Sequence, residues 1–160
     1  MRVGIGHDTH RLVEGRPLIL GGVRIDHSRG LFGHSDADVV MHAVADALLG
    51  AAALGDIGEH YPDTDPKWAG VEGERLLGDV VRMVASSGWK PGNVDVIIHA
   101  QAPKLTPHKP AMRDNLARVL GLDPSAVNIK AKTGEHVGPI GRGESISSEA
   151  IVLLVSASQD

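Results

Sequence analysis

The sequence predicts a single α+β domain, residues 1–160, in which a mixed β-sheet packs against one layer of helices, and three observations predict it. Aliphatic strand-like runs stand at both ends and in the middle of the chain, helix-period segments separate them, and no repeat, low-complexity stretch or linker divides the whole. At 160 residues the chain is long enough to bury a sizeable core without disulfides or a structural metal.

Met1 to Asp8 reads as the first strand, with Gly4 and Gly6 marking close backbone approach. Pro17 to Ile25, PLILGGVRI, reads as an aliphatic hairpin bent at Gly21 and Gly22, and His27 to Gly33 as a turn-rich loop. An almost unbroken apolar run from Val39 to Leu54 predicts a buried helix, capped by Asp36 at its start and closed by Gly55. The segment 55–67 reads as a functional loop because it is dense in Asp, Gly and Pro and long for a mere connection. Glu72 to Ser87 carries Leu76, Leu77, Val80, Val81 and Val84 on one helical face and stops at Gly88.

Asn93 to Ala100 is the next strand and feeds a Pro-rich loop from Gln101 to Lys109. Pro110 to Leu120 makes a third helix, with Pro in its first turn and Gly121 past its end. A short strand from Asn128 to Lys132 leads into a loop with four glycines. The strand Ser145 to Ala157 follows, its IVLLV run reading as apolar on both faces, as at the centre of a sheet.

Composition excludes several classes of function. With no cysteine there is no disulfide, thiolate ligand or catalytic thiol. A net charge of -4 offers no general attraction for nucleic acid, and one Phe, one Tyr and two Trp build no platform for stacking bases. No apolar stretch reaches the length of a membrane span and Met1 opens no signal peptide, so a soluble, cytoplasmic protein is expected.

The chemistry gathers around the buried helix. Asp38, His42 and Asp46 recur every four residues and share one stripe of it, a polar stripe whose plain explanation is internal hydrogen bonding. Asp8 and His10 alternate to the same side of the first strand. Together with His42 they form a set of oxygen and imidazole ligands that suits Zn²⁺ and leaves a fourth position open. His34 and Ser35 precede a helix N-terminus, where free N–H groups and the helix dipole favour an anion such as phosphate; capping by Asp36 is the alternative. There is no Walker-type or dinucleotide-binding glycine motif.

These motifs resemble the 2-C-methyl-D-erythritol 2,4-cyclodiphosphate synthase family of the non-mevalonate isoprenoid pathway. The matching stretches are RVGIGHDTH at 2–10, LGGVRI at 20–25, residues 34–65, NVDVIIHAQAPK at 93–104, NIKA at 128–131 and GRGE at 141–144. The resemblance implies conversion of 4-diphosphocytidyl-2-C-methyl-D-erythritol 2-phosphate to the 2,4-cyclodiphosphate and CMP, by attack of the substrate's own 2-phosphate. It implies Zn²⁺ on Asp8, His10 and His42, and Mg²⁺ or Mn²⁺ on Glu135. His34 and Thr133 match positions that stabilise the transition state by hydrogen bonds to phosphate, and Ser35 is expected among the substrate contacts. Asp56, Ile57, Gly58, Tyr61, Pro62, Asp63, Thr64 and Asp65 match the methylerythritol site. Ala100, Gln101, Ala102, Pro103, Lys104, Leu105 and Thr106, with Lys132, Pro139 and Arg142, match the nucleotide and remaining substrate contacts.

The resemblance also implies a homotrimer with active sites between subunits. Arg142 and Glu144 would then line a central cavity able to hold an isoprenoid diphosphate, or form a salt bridge with each other. In the last loop this chain departs from the common family pattern, with Lys132 before Thr133 and Pro139 in place of an aromatic residue. Two other readings remain open at this point: a zinc-dependent phosphoester hydrolase using a metal-bound hydroxide, and a non-catalytic sensor of isoprenoid diphosphate.

Overall fold

The computed structural model describes residues 1–68 and 70–157. Its elements are β1 (Arg2–Glu14), β2 (Leu18–Leu20), β3 (Val23–Ile25), β4 (Arg29–Leu31), α1 (Val39–Ala52), α2 (Ile57–His60), α3 (Gly73–Ser86), β5 (Trp89–His99), α4 (Lys109–Leu120), β6 (Val127–Lys132), α5 (Gly138–Gly141) and β7 (Ser145–Ser156). Five strands form one mixed sheet in the order β4-β1-β7-β5-β6, and β2 and β3 form a separate hairpin. Only β5 and β6 run parallel; β1 pairs antiparallel with β7 from Arg2↔Leu154 to Arg11↔Ser145. The expected α+β architecture, a mixed sheet with its helices on one face, is present.

Alternation sorts the sheet into two faces. Val94, Val96, Ile98, Ile146, Ala150, Val152 and Leu154 are buried beneath the helices. Their neighbours on the other face include Val3 and Ile5, each about two-thirds exposed, and Ile151, half exposed. The IVLLV run is therefore covered on one face only within the chain, because the long helices α1, α3 and α4 pack together on the same side.

Helix α1 sits directly on β1. A Cβ on Gly4 would come within 2.0 Å of the Ala47 carbonyl oxygen, and one on Gly6 within 2.1 Å of the Ala43 carbonyl oxygen. The two glycines are therefore what allows the helix backbone to touch the strand, and their neighbours across that contact are alanines.

Several boundaries differ from those expected. Strand β1 continues to Glu14, because its second half pairs with β7 and with β4, a strand inside the segment expected to be a loop. Helix α1 is capped by Asp38, not Asp36: the chain turns left-handed at Ala37 (φ 59°), and the Asp38 carboxylate accepts from the Val40 and Met41 N–H groups. The helix ends at Ala52 with Ala53 left-handed, before Gly55. Loop 55–67 contains α2 and the start of a 3₁₀ turn at Pro66–Trp68, and the last glycine-rich loop contains α5. Among the described residues no helix is long and apolar enough to cross a membrane.

Candidate metal centre and active-site cavity

Asp8 and His10 lie in the middle of β1 on the side that faces α1, and His42 is in the first turn of α1 directly above them. The Asp8 Oδ2 atom lies 3.1 Å from His10 Nε2 and 2.9 Å from His42 Nδ1. Among the described residues this is the one group of three ligand-type side chains whose donor atoms all fall within 4.8 Å of each other. The stripe on α1 is thus divided, with Asp38 serving the fold and His42 the cluster.

The outer contacts orient the inner ones. His10 Nδ1 donates to the Phe32 carbonyl oxygen at 2.7 Å, which leaves Nε2 to face Asp8. A carbonyl cannot donate, so Nδ1 must carry a proton; Nε2 then holds either a second proton or a cation. The Ser35 hydroxyl lies 3.3 Å from His42 Nε2 and fixes that ring from behind. This is the outer-shell pattern of metal-ligating histidines, and the donor set fits Zn²⁺.

Without a metal, charges within the cluster compensate each other. Burial works to raise the Asp8 carboxyl, but hydrogen bonds from His10 and His42 outweigh it and hold the group well below the usual carboxylate range. Burial likewise works against a charged His10, yet the hydrogen bond and charge of Asp8 raise it above the ordinary imidazole value. Asp38 is different: complete burial pushes its carboxyl up to about 6, against the Gly22 and Gly21 N–H groups and with the charge of Asp36 adding to the rise.

The cluster opens into a cavity of about 840 Å³. His34 and Ser35 form its rim over the start of α1, and Asp46, Asp56, Ile57, Tyr61 and Asp63 line the far wall. The 34–38 turn is pinned from three sides. Arg16 Nη2 donates to the Ser35 carbonyl at 2.9 Å, Gly70 N to the His34 carbonyl at 2.8 Å, and Asp36 N to the Val71 carbonyl at 3.2 Å. Asp56 caps α2 by accepting from Glu59 N, and Asp46 Oδ1 accepts from Ile57 N at 3.1 Å, so α2 is tied to the helix that carries His42.

Not every expected residue reaches this cavity. Gly58, Pro62, Thr64 and Asp65 belong to the same segment but do not line it; Asp65 pairs with Lys67 at 3.0 Å. A second group gathers where the parallel strands β5 and β6 end. Ala100 N donates to the Lys132 carbonyl at 2.9 Å, and Gln101 Oε1 accepts from His136 N at 3.3 Å, so the loop 100–106 is fastened to the loop 132–136. The Ala102–Pro103 bond there is cis. Thr133 Oγ1 donates to Glu135 Oε1 at 2.7 Å, with Glu135 and His136 both left-handed. Among the described residues none of 100–106 or 132–135 lines the cavity. Arg142 and Glu144 form an ion pair with each other at 2.7 Å, which is the salt-bridge alternative for that pair.

Several lining residues carried no site assignment from sequence. Phe32 contributes both a wall and the carbonyl that orients His10, Trp68 meets Tyr61 edge-on with ring centroids 4.7 Å apart, and Asp46 faces the cavity. Only Asp46 left a signal, its place four residues past His42 on the polar stripe.

A family model described as the YgbB family matches residues 1–155. The 2-C-methyl-D-erythritol 2,4-cyclodiphosphate synthase of Bordetella pertussis is 59% identical over 156 residues, covering 98% of this chain and 96% of that one. A solved structure of a 2C-methyl-D-erythritol-2,4-cyclodiphosphate synthase in its CDP-bound form superposes with a TM-score of 0.89 at 41% identity, over 96% of this chain and all of that chain. The bifunctional IspDF of Campylobacter jejuni gives a TM-score of 0.94 at 43% identity over 99% of this chain, which spans 43% of that longer protein.

Proposed function

The chain belongs to the YgbB family, and from that membership we propose how its two groups of residues share one reaction. The protein is a phosphorus–oxygen lyase that converts 4-diphosphocytidyl-2-C-methyl-D-erythritol 2-phosphate to 2-C-methyl-D-erythritol 2,4-cyclodiphosphate and CMP. The single observation that carries the assignment of roles is the convergence of Asp8, His10 and His42 at the floor of a cavity whose rim is the His34–Ser35 turn.

The reaction is intramolecular. The substrate's 2-phosphate oxygen bonds to the β-phosphorus while the bond to the CMP oxygen breaks, and CMP leaves with the electron pair. No protein nucleophile is needed, which suits a chain without cysteine. The work of the protein is to fold the substrate back on itself, and alignment of this kind is worth up to about 7–11 kcal/mol in favourable cases.

Asp8, His10 and His42 would hold a Zn²⁺ ion. When bound, that ion supplies Lewis acidity and a template for phosphate oxygens. His34 and Ser35 hydrogen-bond phosphate oxygens at the rim, where charge builds up as the ring closes. Asp56, with Asp63 across the cavity, accepts from the hydroxyls of the methylerythritol, and Tyr61 and Ile57 pack against its apolar side. Asp46 keeps α2 at the right distance through Ile57 N. At the other group, backbone of Ala100 to Thr106 reads the cytosine and Lys104 and Lys132 face nucleotide phosphate. The Thr133 hydroxyl steadies the Glu135 carboxylate, which would hold a second cation, Mg²⁺ or Mn²⁺, to neutralise phosphate charge.

The working unit is a homotrimer in the cytoplasm with each active site shared between neighbours. Two observations support it. The nucleotide group lies outside the cavity of its own chain, and the exposed apolar face around Val3, Ile5 and Ile151 is of the kind that copies of a chain cover.

The test is incubation of zinc-reconstituted protein with the diphosphocytidyl substrate and Mg²⁺, followed by ³¹P NMR. CMP and the cyclic diphosphate appear together and both are lost on chelation or in His42→Ala. CMP with an open diphosphate would instead show hydrolysis, and full turnover by His42→Ala would remove the zinc assignment.

A further inference from the structure

The peptide unit between Ser35 and Asp36, at the rim of the cavity, is gripped at both ends. Its N–H donates to the Val71 carbonyl at 3.2 Å, and its carbonyl, that of Ser35, accepts from Arg16 Nη2 at 2.9 Å. One unit back, the His34 carbonyl accepts from Gly70 N at 2.8 Å. Of these partners only Arg16 acts through a side chain. In a planar trans peptide the N–H points opposite to the carbonyl, so the Ser35 N–H is turned away from Gly70, and none of the described residues accepts from it. The Ser35 hydroxyl accepts from Ala37 N at 3.0 Å and lies 3.3 Å from His42 Nε2. Ser35 lines the cavity, so its N–H and hydroxyl are the groups that the grip sets in place.

Arg16 comes from the turn between β1 and β2, and its backbone is fixed from below. Gly30 of β4 packs so closely on this turn that a Cβ there would meet the Pro17 carbonyl oxygen at 2.1 Å and the Arg16 carbonyl oxygen at 2.4 Å. The side chain is partly buried, and none of the described carboxylates pairs with it. Its charge is felt at the Asp8 cluster, where it works against a positive charge on His10. A cation site gains nothing from such a neighbour, whereas an anion at the rim does. The bond to Ser35 is charge-assisted, and therefore stronger than one between neutral groups.

We propose that Arg16 is a positioning residue for phosphate: it locks the Ser35–Asp36 peptide so that the Ser35 N–H and hydroxyl meet a phosphate oxygen at the rim, and it adds its own positive charge behind them. Arg16 does not line the cavity itself and acts through Ser35. The proposal rests on the cyclase reading, in which the diphosphate of a cytidine nucleotide reaches the rim.

Zinc-loaded wild type, Arg16→Met and Arg16→Lys are titrated with CDP and with CMP by calorimetry, after melting curves and a zinc count show each to be folded and loaded. The wild type binds CDP more tightly than CMP. Arg16→Met weakens CDP by about tenfold and leaves CMP unchanged; Arg16→Lys, which keeps the charge but not the fork, falls between the two. In turnover of the diphosphocytidyl substrate, KM rises in step with the Kd for CDP while kcat changes less. A merely structural role would instead lower the melting temperature and kcat and leave both nucleotide affinities alone. Where Arg16→Met does not fold, Arg16→Gln takes its place. Wild-type CDP affinity in folded, loaded Arg16→Met, equal weakening of CDP and CMP, Arg16→Lys as weak as Arg16→Met, or loss of zinc from folded Arg16→Met would each overturn the proposal and leave the cyclase reading standing. A wild type that binds CDP no tighter than CMP would overturn both this proposal and the phosphate role of the rim.

Discussion

Asp38 is fully enclosed, and its carboxylate accepts from four backbone N–H groups, those of Gly21, Gly22, Val40 and Met41. It thereby ties the β2–β3 turn to the first turn of α1, just below His42. Oδ1 takes three of these bonds and Oδ2 takes the one from Gly22. An asparagine supplies only one accepting oxygen, so its amide would confront one N–H with another. Asp38→Asn is expected to cost about 1–3 kcal/mol in urea unfolding, and Asp38→Ala at least as much, since all four donors lose their partner. His10 gives a pH dependence of definite sign. Its folded value in the metal-free protein is raised by Asp8, so the stability it contributes is fully present below its ordinary value of 6.5 and is lost as pH rises through the raised one. The stability difference between metal-free wild type and His10→Ala should therefore be largest in mild acid and shrink toward alkaline pH. Zinc competes with that same proton, so its stabilisation of the wild type runs the other way and grows as pH rises. Melting curves across pH, with and without zinc, check both signs.

Helix α1 owes its position over the metal cluster to Gly4 and Gly6, which leave room for the Ala43 and Ala47 carbonyls against the strand. Gly6→Ala is expected to cost at least about 1–3 kcal/mol by overpacking, and to weaken zinc binding because the displaced helix carries His42 away from Asp8. Gly50 is in the same helix but has nothing nearer than 4.0 Å, so Gly50→Ala should stabilise by up to about 1 kcal/mol and leave zinc affinity unchanged. Denaturation and zinc titration of the two variants separate close approach from helix propensity. Much at this scale is legible in sequence, since apolar runs and glycine punctuation locate α1, α3, α4 and β7 within a few residues. What sequence conceals is pairing. The second half of β1, with His10, Arg11 and Glu14, has no strand composition and is extended because β7 and β4 pair with it. The site follows the same division. The Asp-x-His spacing in a strand and the i, i+4 polar stripe foretell the Asp8–His10–His42 cluster, whereas Phe32 acts through its carbonyl and Trp68 through a loop contact, and neither leaves a pattern to read.

At the scale of the whole molecule, the cavity at the Asp8 cluster and the group formed by loops 100–106 and 132–136 are kept apart within one chain. The first opens between β1, α1 and α2; the second is built where β5 and β6 end and is fastened by the Gln101–His136 contact. Under the proposed roles the substrate touches both. If neighbours in a trimer supply the two halves, chains damaged in different halves can repair each other. His42→Ala removes the zinc half and leaves the nucleotide half intact; Lys104→Ala does the reverse. Each variant alone should be nearly inactive. Trimers assembled at random from equal amounts of the two contain sites in which the zinc half comes from a Lys104→Ala chain and the nucleotide half from a His42→Ala neighbour. Each condition holds with probability one half, so about one quarter of the sites should be whole and turnover should return to about a quarter of wild type. Co-refolding or co-expression of the two variants, followed by the CMP-release assay, measures it. Recovery near that fraction requires sites between subunits, since a chain that builds its own site gains nothing from a partner with a different defect. No recovery, with mixed trimers shown by mass, would place both halves of each site within one chain.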